Sequence, residues 1–154
     1  MKTNIYILHF IRYGFLILFF YAGLTKLLTG DAFYNNLYNS PLLPKNPGFI
    51  NVLAWSLPFL EISIALSLLV QHYIKPSLLV VVGLLSLYAV YIVALLWWAP
   101  YQPCSCGGVS SLLSWKQHLL LNGVGIAFAF MGLYVIRARK KRREDRREKI
   151  ESRK

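Results

Sequence analysis

Apolar residues fill long unbroken runs in this chain rather than recurring on one side of each element. Four runs stand out, at residues 5–28, 49–70, 77–98 and 115–136. Each suffices to cross a hydrocarbon core of about 30 Å at about 1.5 Å per helical residue. The pattern predicts an all-α, integral-membrane four-helix bundle. Between the first two runs, residues 29–47 carry Asp31, several asparagines and three prolines, which break any long helix. Within that stretch Phe33, Tyr34, Leu37 and Tyr38 fall at i, i+1, i+4 and i+5, the spacing of a short amphipathic helix lying at the membrane surface. Residues 71–76 read as a tight turn. Pro100 and Pro103 end the third run, behind an interfacial Trp97–Trp98 pair. Ser114 is placed to cap the fourth. Pro58 lies inside the second run and predicts a kink with a freed carbonyl, tolerable where neighbouring helices re-satisfy it. The first run exceeds the apolar core of a signal peptide and has no good cleavage site, so it reads as retained.

Composition agrees with burial in lipid. The 154 residues are 56% hydrophobic and 15% aromatic, more than a soluble core of this size requires. No 20–50-residue period repeats, which excludes a solenoid. The net charge of +11 is uneven, because 11 of the 17 Lys and Arg lie after Ile136. The chain therefore divides into a membrane domain, 1–136, and a basic tail, 137–154. Eleven basic and four acidic residues make the tail a topology anchor that attracts anionic lipid; its Glu and Arg fall at helical spacing, and a nucleic-acid role is not favoured. The positive-inside bias puts both termini and the Lys75 turn in the cytoplasm. Loop 29–47 and loop 99–114 then face outward.

The outward loop 99–114 holds Cys104 and Cys106, the chain's two cysteines, between Pro103 and the pair Gly107–Gly108. Thiols two residues apart reach one another within the roughly 4.4–6.8 Å Cα separation a disulfide accepts. The loop leads into the electropositive start of the fourth helix, whose first turn carries His118, and both features favour a thiolate. A redox pair competes here with idle cysteines, with a passive disulfide, and with a metal site in which His118 joins two thiolates but falls short of about four ligands. His118 and Asn122 share a helix face with Trp115. That face is either a polar floor beneath the cysteines, with His118 as proton acceptor, or an interfacial Trp–His pair with Asn122 as a buried packing amide. Glu61 lies near mid-membrane, where a carboxylate needs a partner; Arg12 and Lys26 are the candidates. The structural reading is an ion pair fixing helix register, and the functional one a proton or quinone site. Tyr13, Tyr21, Tyr88 and Tyr91 read as packing and interface residues.

Three stretches carry a family resemblance: IRYGFLILFFYAGLTKL with Arg12, Gly23 and Lys26, LPFLEISIALSLL with Glu61, and CSCGGV followed by W-x-x-H-L-x-x-N. With them the chain resembles the MauE (methylamine-utilisation) branch of the DoxX-like membrane proteins, up to about Ile136. Gly107 stands where members often have an aromatic residue. The resemblance implies a four-helix bundle in the bacterial inner membrane. It also implies a link to making or protecting disulfides, with quinone as a cofactor in related redox complexes. The expected function is thiol–disulfide exchange by Cys104 and Cys106, assisted by His118, with a periplasmic protein thiol or disulfide as partner. The alternative is a non-catalytic subunit or assembly partner of a larger membrane complex, with the cysteines as a static clip.

Overall fold

The computed structural model describes residues 3–99 and 114–152. Among these residues are five α-helices: α1 (Thr3–Leu28), α2 (Gly30–Tyr38), α3 (Pro47–Leu69), α4 (Ile74–Trp98) and α5 (Trp115–Glu151), with a 3₁₀ turn at Gln71–Tyr73. Four of them, α1, α3, α4 and α5, are long and apolar enough to cross a membrane, and α2 is the short helix expected in the first loop.

Local chemistry sets the ends. The Asn46 side chain accepts from the N–H groups of Gly48 and Phe49 at 3.0 and 3.3 Å, and Pro47 occupies the first helical position, where its missing N–H costs nothing. The third run begins at Ile74 rather than 77. Pro76 then sits in the first turn of α4, where no intrahelical donor is required. Ser114 caps α5 reciprocally: the Gln117 N–H donates to Ser114 Oγ at 3.4 Å, and the Ser114 N–H donates to the Gln117 side chain at 2.9 Å. From there α5 runs without a break through position 136 to Glu151, so the apolar run and the basic stretch after it form one helix.

α1 packs chiefly on α3 and α4 on α5, while α1–α5 and α3–α4 contacts close the ring. Leu8, Ile11, Phe15 and Phe19 of α1 meet Ile64 and Leu68 of α3, Leu78 and Leu85 of α4, and Ala129 and Leu133 of α5 in the common core. The outer face is equally apolar, with Phe10, Ile17, Val52, Leu87, Val90 and Phe130 all exposed. A helix apolar all round belongs in hydrocarbon. Small residues let the helices close up. A Cβ on Gly125 would stand 2.8 Å from Leu85, and one on Gly23 would meet Ile62 at 2.8 Å and the Pro58 carbonyl at 3.0 Å. α3 is continuous through Pro58, which is fully buried.

Arg12 does not pair with Glu61. Its guanidinium donates to the carbonyls of Leu68 and Leu69, the last two residues of α3. Those carbonyls have no intrahelical partner, and the negative end of the helix dipole favours a cation there. Arg12 therefore ties α1 to the end of α3 opposite the cavity described next.

Candidate functional site

At one end of the bundle lies a cavity of about 390 Å³. It is bounded by the C-terminal half of α1, the N-terminal half of α3, the C-terminal half of α4 and the start of α5, with Phe33 and Leu37 of α2 beside it. Its walls are aliphatic and aromatic. Loop 99–114 joins α4 to α5 at this same end.

The polar groups of the cavity converge. Glu61, 1% exposed, accepts from Lys26 Nζ through Oε1, and the Tyr88 hydroxyl donates to the same oxygen at 2.7 Å. The Lys26 ammonium also lies 5.2 Å from the centroid of the Tyr88 ring and 5.6 Å from that of Phe33, a cation–π setting that offsets its desolvation. Glu61 Oε2 is buried and has no hydrogen-bond partner among the described residues. Across the cavity, His118 Nδ1 and Asn122 Nδ2 are buried and unpartnered in the same sense. A buried polar atom left unpaired costs about 1–3 kcal/mol, so three such atoms among the residues lining one cavity are an unusual concentration. A carboxylate oxygen accepts, an amide N–H donates and an imidazole nitrogen does either. A second tether lies nearby, where Tyr91 Oη and Ser40 Oγ are hydrogen-bonded at 2.7 Å and hold the α2–α3 connection against α4.

The sequence-derived candidates divide. Glu61 and Lys26 meet, and His118, Asn122 and Trp115 share the cavity with them. Arg12 stands apart at the other end. Cys104 and Cys106 lie outside the described residues. Among the described residues, no group of three or more His, Cys, Asp or Glu is placed to hold a metal ion. The packing reading of Tyr88 and Tyr91 leaves out their hydroxyl bonds to Glu61 and Ser40. The available signal is that a phenol inside an apolar run needs a partner and a buried carboxylate needs donors.

No curated protein and no solved structure matches the chain. The family model described as methylamine utilisation protein MauE matches residues 4–135, nearly the whole membrane-spanning part, and the chain is a multi-pass membrane protein belonging to that family.

Proposed function

We propose that this protein carries out thiol–disulfide exchange at the outer face of the bacterial inner membrane through Cys104 and Cys106, supporting disulfide formation or maturation of a periplasmic partner. The observation that carries the reading is the position of the polar cavity. Its imidazole, carboxylate, ammonium and phenol sit at the end of the bundle from which loop 99–114 springs. His118, in the first turn of α5, shares the cavity with the Glu61–Lys26 pair, and its place at the start of the helix that follows the cysteine loop supports a role as proton acceptor for a thiol. The family's description supports a membrane role in methylamine utilisation.

In the exchange, a thiolate attacks one sulfur of a disulfide, that S–S bond breaks, and the displaced sulfur leaves as a thiolate that takes up a proton. The other cysteine resolves the mixed disulfide. When the partner is oxidised, its two thiols become a disulfide and the Cys104–Cys106 disulfide becomes a dithiol; the reverse run reduces the partner. A quinone, when bound, supplies acceptance of two electrons and two protons. The lining suits a quinone ring: Leu57, Leu85 and Ile92 furnish apolar walls, and the His118 and Asn122 side chains add polar character. His118 would hold or pass protons there.

Trapping tests the proposal. Cys104→Ala and Cys106→Ala variants are expressed in cells, and adducts are resolved without reductant and identified by mass spectrometry. One variant is expected to accumulate a reductant-sensitive adduct with an envelope protein. Absence of any adduct from both, with the wild-type pair permanently oxidised, would replace exchange by the static clip of an assembly subunit.

A further inference from the structure

A second concavity, of about 440 Å³, lies at the opposite end of the bundle, where α1, the 3₁₀ turn, α4 and α5 meet. Apart from the Gln71 amide, its polar lining is cationic or imidazole-bearing: His9 and Arg12 of α1, His72 of the turn, Lys75 of α4, and Arg139 and Lys140 of α5. Among the described residues, no acidic side chain lines it. Arg12 is engaged with the α3 carbonyls, and Lys140 forms an exposed pair with Glu144 at 3.6 Å, which leaves a net positive field over the opening. The start of α4 adds to that field. Its first-turn N–H groups have no side-chain cap, and Ile74 and Lys75 line the concavity. Uncapped N–H groups at the start of a long helix favour an anion, and here those of Ile74 and Lys75 count, since Pro76 has none.

The rest of the lining is apolar. Leu8, Ile74 and Ile136 lie on the core side, at the level where the lipid-facing run of α5 gives way to its basic stretch. A free anion has no use for such a base, whereas a lipid fills both halves, with phosphate against the cations and the first methylenes against the aliphatic side chains. We infer that this groove binds the phosphate head of an anionic membrane lipid, as a defined site between helices distinct from general attraction to the basic tail. The site draws on His9, His72 and Lys75, none of them in the tail. It stands independently of the exchange chemistry at the other end.

The test uses the full chain in a neutral detergent, where no charged surface contributes. Binding of phosphatidylglycerol and of phosphatidylcholine with the same acyl chains is read by native mass spectrometry. One phosphatidylglycerol is expected to be retained, with phosphatidylcholine held more weakly. The double variant Lys75→Gln/Arg139→Gln should weaken phosphatidylglycerol by roughly tenfold or more, whereas Arg142→Gln/Arg146→Gln, which removes equal charge outside the groove, should change it by less than about threefold. Equal losses in the two variants would leave diffuse tail attraction and overturn the site. Equal retention of the two lipids would overturn it too, as would full displacement of phosphatidylglycerol by millimolar inorganic phosphate.

Discussion

Lys26, in the last turn of α1, and Glu61, in the middle of α3, form an ion pair at the edge of the cavity, with the carboxylate 1% and the ammonium 17% exposed. The pair joins the two helices that make the bundle's principal contact at the end away from Arg12. Burying two charges is costly, and the pair persists because each partner has further support: the Tyr88 hydroxyl on Glu61, and two aromatic rings around Lys26.

Removing one partner should therefore cost more than removing both. Glu61→Ala leaves the ammonium without its counter-charge and the Tyr88 hydroxyl without its acceptor, an expected loss of about 3–5 kcal/mol. Thermal melting in detergent should show a large drop for Glu61→Ala and for Lys26→Met, with partial recovery in Glu61→Leu/Lys26→Met. Strictly additive losses in the double variant would show that the two side chains do not interact.

The contacts of Arg12 call for a guanidinium. Two adjacent carbonyls at the end of α3 accept from two of its nitrogens, which a lysine cannot match with one point charge. Arg12→Ala should cost about 1.5–3 kcal/mol, the range for hydrogen bonds to charged groups, and Arg12→Lys should recover part of it. Hydrogen exchange localises the effect, with faster exchange expected in the last turn of α3. Unchanged exchange there would refute the capping role.

Two glycines of α1 give opposite expectations. Gly23 faces α3 at near contact, while nothing lies within 4 Å of a Cβ placed on Gly14. Gly23→Leu should be overpacked by about 1–3 kcal/mol and should push α1 from α3 beside the cavity. Gly14→Ala should be neutral or stabilising by up to about 1 kcal/mol, the helix preference of alanine over glycine. Equal melting temperatures for the two variants would contradict the packing of α1 on α3.

Much of this arrangement is legible in the sequence. Length and apolarity alone identify four crossings, Ser114 announces its own cap, and the i, i+4 spacing puts His118 and Asn122 on one face. A single carboxylate in an apolar run also demands a cation. Which cation is not legible, and depth misleads: Arg12 and Lys26 lie about 21 Å apart along α1 and helical rise puts Arg12 nearer the depth of Glu61, whereas the long Lys26 side chain is the one that reaches it. Nor is the role of Tyr88. Helices apolar all round carry no polar face to fix their rotation, so the sequence does not show that Tyr88 turns toward Glu61 rather than toward lipid. The start of α4 at Ile74 escapes a reading that treats Pro76 purely as a breaker, since a first-turn proline breaks nothing.

The charge distribution predicts the side on which each end of the bundle lies. Eleven of the 17 basic residues follow Ile136, and an even number of crossings puts Lys2 and the Lys75 turn on the same side as that stretch. Lys45 and Lys116 remain on the other. The bias favours a cytoplasmic basic end, so the cavity and loop 99–114 should face outward, where disulfides persist. In intact spheroplasts, a membrane-impermeant maleimide should label Cys104 and Cys106 after mild reduction. Ser152→Cys in a cysteine-free background should react only after lysis. Because Ser152 caps the end of α5, far along the helix from the cavity, the two measurements report opposite faces of the membrane. Labelling of Ser152→Cys in intact cells, with Cys104 and Cys106 silent until lysis, would invert the orientation. It would also remove the oxidising compartment on which the proposed exchange depends.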